Sequence, residues 1–177
     1  MNFGDTAVAN ALTALNTLLL VINLLIVVYG VKRTIDYNRF NRTWSYIERL
    51  NSESMLESKL AVDKFVRHLN SLRREERKDY IDAFLRSDKP EDERLRERIS
   101  IFCNIFTELG VAHYAGAVDK RALISPARMV VEYWEKLSPL IERRRAQVAP
   151  QQIHTCWERL RNHILKEKLH TTNYAED

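Results

Sequence analysis

The side chains able to bind metals or act as nucleophiles are few and widely spaced in this 177-residue chain. The two cysteines, Cys103 and Cys156, form no CxxC pair. His154 and Cys156 are two positions apart and would point to different sides of a helix, so they could share a metal ion only if the backbone bent. The other histidines have neither HxxxH nor HExxH spacing: His68, His113, His163 and His170. The sequence therefore predicts free, buried cysteines, no metal site and no Cys–His nucleophile.

Glu108 is the carboxylate most suited to unusual chemistry, because it lies in the apolar stretch 102–109. A half-buried glutamate can have a raised pKa, but we favour a structural role, either an ion pair with an arginine such as Arg121 or Arg128 or a cap on a neighbouring turn. The chain has only four glycines and no Gly-rich loop that could hold a phosphate. We therefore expect no enzyme activity, no cofactor and no small-molecule substrate.

Residues 6–31 form a long segment without Asp, Glu, Lys, Arg or His. As a helix at about 1.5 Å per residue it would span roughly 39 Å, enough to cross a hydrocarbon core of about 30 Å. All 28 Lys and Arg follow this segment, starting with Lys32, Arg33, Arg39 and Arg42. Because basic segments stay in the cytoplasm, the pattern predicts an N-terminus outside the cell and a cytoplasmic C-terminal domain. The basic residues would also lie over the lipid head groups.

A cleaved signal peptide is the alternative interpretation, but no base precedes the apolar segment and the segment is too long. Within it, Asn16 and Asn23 are seven positions apart and lie on nearly the same helix face, with Thr13 close to that face. Asparagine in hydrocarbon can bridge two helices, a contact worth about 0.6 to 2 kcal/mol. The alternative is that threonine bonds to its own helix and an asparagine reaches the head groups. We predict a contact between membrane helices, from a protein partner or a second copy.

The domain organisation follows from these segments. We expect a transmembrane anchor at residues 1–31, a basic juxtamembrane helix at 32–50, a cytoplasmic helical domain at 51–169 and a frayed tail at 170–177. Beyond the anchor, apolar residues recur at spacings of three and four, and no alternating β-branched run occurs. The sequence therefore predicts an all-α fold, with one N-terminal transmembrane helix followed by a bundle of about five to six helices. The three Trp and most of the six Phe should form its core.

Local signals predict where the cytoplasmic helices begin and end. The second helix should bury a stripe of four residues: Leu56, Leu60, Phe65 and Leu69. The later boundaries are Asn70 and Ser71 as the cap of the third helix, Pro90 as a start, Gly110 as an end, Ser125 as a cap with Pro126 at the first position, Pro139 as a bend or restart, and Ala149 with Pro150 between the last two helices.

Residues 101–145, IFCNIFTELGVAHYAGAVDKRALISPARMVVEYWEKLSPLIERRR, carry a family resemblance. They contain a Phe-rich helix, a short segment with an Asp and a helix with adjacent Tyr and Trp. This stretch resembles the core of the DUF4760-type bacterial membrane proteins, which also have one N-terminal span, a basic edge and a helical domain. The resemblance implies membrane association, here in the bacterial inner membrane. It supplies no activity and no site residues.

Three basic runs, at residues 73–78, 143–145 and 159–168, offer a second functional hypothesis. If they converged, they could bind nucleic acid or anionic lipid. Each run is interrupted or flanked by acidic residues, as a solvated helix face would be. We therefore favour a membrane-anchored interaction or regulatory module that acts through protein–protein contacts and could form homo-oligomers. Nucleic-acid or anionic-lipid binding by the basic surface is the alternative.

Overall fold

The computed structural model describes residues 3–147 and 153–171, and the regular structure in them is helical, with no strand. Six α-helices precede a short 3-10 turn at Leu169–Thr171. They are α1 (Phe3–Leu50), α2 (Glu53–Ser71), α3 (Arg74–Arg86), α4 (Pro90–Tyr114), α5 (Ile124–Gln147) and α6 (Thr155–Lys166). The predicted all-α fold with one long apolar N-terminal helix is confirmed.

The chain forms two compact units, one up to Arg39 and one from Phe40 onward. The first unit holds most of α1, and every side chain in residues 10–39 is exposed. The second unit holds the last turns of α1 and the helices α2–α6. Within it α4 packs against α2 and α6, while α5 packs against α3, α6 and the 3-10 turn. A hydrophobic core of its own therefore stabilises the second unit.

Trp157 of α6 lies fully buried in the core of the second unit. Its Nε1–H donates to the carbonyl oxygen of Val130 at 3.0 Å, which satisfies the polar edge of the indole. The ring stacks on Phe106 with centroids 4.8 Å apart and meets Trp134 edge-on at 5.3 Å. These contacts join α4, α5 and α6, so the predicted aromatic core is formed by these rings.

Three residues predicted to be buried are instead exposed: Trp44, Leu56 and Leu60, at 49%, 55% and 56% of their full accessibility. The Nε1–H of Trp44 donates to the Glu48 carboxylate at 3.0 Å. On α2 the buried face is formed by Met55, Ser58, Val62, Phe65, Val66 and Leu69. Leu56 follows Met55 by one residue and therefore points about 100° away from that face. The apolar residues of α2 lie on two helix faces. The expected stripe combined Leu56 and Leu60 from the exposed face with Phe65 and Leu69 from the buried face.

Gly110 does not end α4, which continues to Tyr114. A Cβ atom placed on this buried residue would lie 2.3 Å from the carbonyl oxygen of Cys156. The glycine therefore permits the backbones of α4 and α6 to approach closely, a role that the sequence does not distinguish from helix termination.

The cap of α3 is Arg73, not the pair Asn70 and Ser71, because α2 continues through Ser71. The backbone N–H of Arg73 donates to the carboxylate of Glu76 at 3.0 Å. A glutamate three residues into the helix thus satisfies a free N–H at the helix start. The expected start of α4 at Pro90 is confirmed.

Helix α5 begins at Ile124. Ser125 and Pro126 therefore lie inside its first turn, whereas the sequence predicted Ser125 as the N-cap and Pro126 as the first helical residue. The turn before α5 is held by Asp119, whose Oδ1 accepts from the N–H groups of residues 121 and 122 at 2.8 and 3.1 Å. Pro139 lies within α5, which continues to Gln147. Ala149, Pro150 and residues 172–177 of the expected tail lie outside the described residues, and residue 170 belongs to the 3-10 turn.

Candidate functional site

The residues predicted for a membrane-helix contact lie on the exposed surface of α1. Asn16 and Asn23 are about 20° apart around the helix axis, and Thr13 lies about 60° from Asn16. Neither asparagine amide has a hydrogen-bond partner among the described residues. Thr17, in contrast, donates its hydroxyl to the Thr13 carbonyl oxygen at 2.9 Å. The threonine is satisfied within the helix, whereas the two amides need a partner from elsewhere.

α1 contains the one segment in the described residues that is long and apolar enough to cross a membrane. Its most apolar 18-residue window has a mean hydropathy of 2.4, and none of that window is buried. The basic residues after the apolar segment, Lys32, Arg33, Arg39 and Arg42, are all exposed. Arg39 lies 3.9 Å from the carboxylate of Asp36.

A cavity of about 520 Å³ opens in the second unit between α3, α4, α5 and the residue before α6. Its apolar wall is formed by Phe84, Leu85, Ile99, Leu140 and Ile141. Its polar groups are Glu93, Arg96, Glu97, Ser100, Arg144 and Gln147. Cys103 and His154 also line it, and both are buried. A mostly apolar wall with a few polar groups is typical of small-molecule sites.

Cys103 and His154 are connected at this cavity by Thr107. The Thr107 hydroxyl donates to the Cys103 carbonyl oxygen at 3.0 Å, and its Oγ1 lies 2.7 Å from Nδ1 of His154. Because the hydroxyl gives its single proton to the carbonyl, Nδ1 of His154 must be the donor to Oγ1. Nε2 is then the ring nitrogen with the free lone pair. His154 also has a φ of 57°, in the left-handed region that few residues other than glycine adopt.

Burial keeps both groups neutral near pH 7. Burial, followed by the positive charges of Arg144 and Arg145, lowers the pKa of His154 to about 4. Burial likewise raises the pKa of the Cys103 thiol to about 12, against a smaller opposing effect of Arg144. A thiol with this pKa is protonated at neutral pH and is therefore a poor nucleophile. Cys103 is free and buried as predicted, whereas Cys156 is only partly buried.

The arginines near His154 differ in their contacts. Arg145 donates to the Ile153 carbonyl oxygen at 2.8 Å and forms a 2.9 Å ion pair with Glu158. Arg144 lines the cavity, and no described residue hydrogen-bonds or ion-pairs with it. Arg144 is exposed, and its guanidinium has no direct partner among the described residues.

His113 of α4 and His163 of α6 form a histidine pair, with ring centroids 4.5 Å apart. Burial, then the charges of His163 and Lys120, lower the pKa of His113. Nε2 of His163 is buried without a hydrogen-bond partner. Within residues 3–147 and 153–171, no group of three or more His, Cys, Asp or Glu side chains is arranged to hold a metal ion.

Glu108 is exposed, and its ion-pair partner is Arg49 at 2.7 Å rather than Arg121 or Arg128. The Glu108 side chain keeps 48% of its full accessibility, and its role is the ordinary ion pair with an arginine that we favoured. The expected arginine pair exists, but its partner comes from the end of α1, more than fifty positions earlier. Such a long-range pairing leaves no local signal in the sequence.

Several residues of the basic runs form intramolecular ion pairs. Arg143 contacts both carboxylate oxygens of Asp82, and Arg161 lies 3.5 Å from Glu135. With the Arg145 pair described above, these contacts leave less free positive charge than the sequence suggests. Arg77 also donates to the carbonyl oxygen of Leu72 at 3.2 Å.

The sequence did not single out the main groups of the cavity. Thr107 follows Cys103 by one helical turn, a weak local signal. Arg144 is the middle residue of a basic run, and in the sequence His154 stands out only as a candidate metal ligand. Their approach depends on the packing of α4, α5 and α6, which one sequence does not reveal.

A family model described as a domain of unknown function, DUF4760, matches residues 17–168. The chain belongs to the DUF4760 family. This match extends well beyond residues 101–145, on which the resemblance rested. It covers α1 from Thr17 onward and the helices that form the cavity. No curated protein and no solved structure matches the chain.

The DUF4760 description carries no activity, so function has to be argued from the residues themselves. The match covers Asn23 and most of the apolar segment, together with Cys103, Arg144 and His154. The apolar helix and the cavity-bearing helices thus belong to one DUF4760 domain.

Proposed function

We propose that this DUF4760 protein is anchored in the bacterial inner membrane by one span and that its helical unit acts through contacts with another protein or a second copy. One observation carries the proposal: every side chain in residues 10–31 is exposed, although most are Leu, Ile, Val or Ala. An apolar surface of this length in water would cause aggregation. A bilayer covers it without any further protein contact.

The proposed orientation has the N-terminus outside and the helical unit in the cytoplasm. Lys32, Arg33, Arg39 and Arg42 follow the span directly, all are exposed, and the preceding segment contains no base. Positive charge close to a span is retained on the cytoplasmic side. The bacterial assignment rests on the resemblance of residues 101–145. A phosphatase reporter at the C-terminus should be inactive and a fluorescent reporter should fluoresce; the reverse result would contradict the orientation.

The proposed contact in the membrane uses Asn16 and Asn23. Their amides lie on one face, and the described residues offer them no hydrogen-bond partner. A lipid chain offers none either, so pairing with a second helix is favourable by about 0.6 to 2 kcal/mol for each contact. Unlike the threonine at position 17, they do not bond to their own helix.

The helical unit has exposed apolar side chains suited to contacts with a partner. Leu56 and Leu60 are one turn apart on α2, each more than half exposed. Val111 and Tyr114 on α4 are 51% and 70% exposed. A functional contact through these residues would explain why α2 presents leucines outside its buried face.

The test is the mass of the full-length protein in mild detergent, measured for wild type and for Asn16→Leu/Asn23→Leu. We expect a defined oligomer or a stable complex in wild type and its loss in the variant. The matched control is Leu18→Ala/Leu25→Ala, a pair with the same spacing on the opposite face. A wild-type monomer with nothing bound would contradict the proposed contact. The proposed contact would also be contradicted if Asn16→Leu/Asn23→Leu assembled like wild type while Leu18→Ala/Leu25→Ala failed to assemble.

A further inference from the structure

We propose that the cavity between α3, α4 and α5 binds a small amphipathic carboxylate, with its anionic group on Arg144 and its apolar body along the cavity wall. The volume of about 520 Å³ lies within the range of small-molecule sites, about 300 to 1,000 Å³. This inference goes beyond membrane anchoring and protein contact. It assigns a ligand class to a site that no comparison identifies.

The positive charge near Cys103 and His154 determines the sign of the ligand. The charged groups that act on His154 are Arg144 and Arg145, and Arg144 also acts on Cys103. No carboxylate opposes them at these two residues. Arg145 is already paired with Glu158, whereas Arg144 is not paired. The free guanidinium can donate two parallel hydrogen bonds to a carboxylate, a geometry that lysine cannot offer.

His154 does not compete for the role of anion donor. Its Nδ1–H is used by Thr107, so Nε2 offers a lone pair rather than a proton. At neutral pH the ring is uncharged, because burial keeps its pKa near 4. His154 therefore contributes a neutral polar edge to the cavity, and Arg144 is the anion-binding group.

Two acidic residues, Glu93 and Glu97, also line the cavity. Glu93 and Glu97 are on α4, six to ten residues before Cys103, which is about 9 to 15 Å along the helix. Arg96 lies between them and donates to the carbonyl oxygen of Phe84 at 2.6 Å. The positive charge of Arg96 offsets part of the negative charge of Glu93 and Glu97. A ligand carboxylate held near Cys103 and His154, where the charge of Arg144 acts, would therefore lie about 9 Å or more along α4 from these acids.

That wall determines the rest of the ligand. Phe84 and Leu85 from α3, Ile99 from α4, and Leu140 and Ile141 from α5 line the same cavity. Burying an apolar chain against them contributes about 25 cal/mol per Å² removed from water. A small polar anion such as acetate would leave this surface uncovered, so we expect affinity to increase with the length of the apolar chain.

The experiment is photolabelling of the full chain in nanodiscs of zwitterionic lipid. The probe is a decanoate analogue with a diazirine at the chain end, and labelled peptides are mapped by mass spectrometry. We expect saturable labelling of the cavity wall that excess decanoate prevents and decanol does not. Arg144→Gln should weaken it about tenfold or more, because the variant loses the charge-assisted hydrogen bonds to the carboxylate. Arg94→Gln removes an exposed arginine on α4 that does not line the cavity and should have no effect.

Labelling of residues 10–31 should not saturate, because it reports partition of the probe into lipid, and it serves as the internal reference. A second variant, Ser100→Phe, places a ring in the cavity and should also reduce cavity labelling. The proposal is overturned if the cavity is unlabelled. It is overturned equally if decanol competes as well as decanoate, or if Arg144→Gln and wild type are labelled alike.

Discussion

The close approach of α4 and α6 at Gly110 makes a quantitative prediction for Gly110→Ala. The added Cβ would lie 2.3 Å from the carbonyl oxygen of Cys156, 2.6 Å from its carbonyl carbon and 3.1 Å from the backbone nitrogen of Trp157. All three are backbone atoms, so no side chain can rotate away and the helices must separate. Overpacking of this kind costs about 1 to 3 kcal/mol. Alanine's better helix propensity returns about 0.5 to 1 kcal/mol, leaving a net loss of up to about 2.5 kcal/mol.

Thermal unfolding of the full chain in detergent, followed by tryptophan fluorescence, measures this loss. At about 2 to 4 °C for each kcal/mol in a domain of this size, the midpoint should fall by up to roughly 10 °C. The emission should also change, because Trp157 is next to the clash and stacks on Phe106. Gly30→Ala is the matched control, since nothing lies within 4 Å of its added Cβ. A Gly110→Ala protein as stable as wild type, with unchanged fluorescence, would refute the packing argument.

Two further predictions concern polar groups of the second unit. Because the pKa of His154 is about 4 in the folded chain and about 6.5 when unfolded, its contribution to stability is complete above pH 6.5 and is lost as pH falls to 4. That loss is roughly 3 kcal/mol. Asparagine tolerates the left-handed backbone and does not titrate. His154→Asn should therefore flatten the pH dependence of the unfolding midpoint between pH 4 and 6.5. Thr43 accepts the backbone N–H of Asp119 at 2.9 Å through a fully buried hydroxyl. Thr43→Val should therefore cost about 1 to 3 kcal/mol in denaturant unfolding, whereas the exposed Thr34→Val should change little; equal effects would contradict a role for this hydrogen bond.

The helices themselves could be predicted because their signals are local. Apolar spacing, Pro90 and the uncharged segment each act within one or two turns, so one sequence suffices. The errors arose where one residue type serves two purposes. Gly110 could end a helix or allow close packing, and Leu56 could belong to either of two faces of α2. Tertiary packing resolves both ambiguities, and the sequence does not contain it in readable form.

The same limit explains why the cavity was not predicted. Thr107 and His154 meet across α4 and the residue before α6, forty-seven positions apart. The partner of Glu108, Arg49, lies fifty-nine positions earlier. In neither case does any motif connect the two residues. The sequence does show which reactive and charged side chains are present, including a histidine, a cysteine and several arginines without an assigned role.

The run of three arginines at residues 143–145 illustrates how a helix turns a sequence pattern into separate functions. Successive residues on a helix point about 100° apart, so three neighbours face three directions. Arg143 contacts Asp82 on α3, and Arg145 pairs with Glu158 on α6. Arg144 is left at the cavity between them. As a sequence, the run indicates a basic surface that could bind nucleic acid. As a structure, two of its charges hold helices together, and the third is available to an anion small enough to enter the cavity.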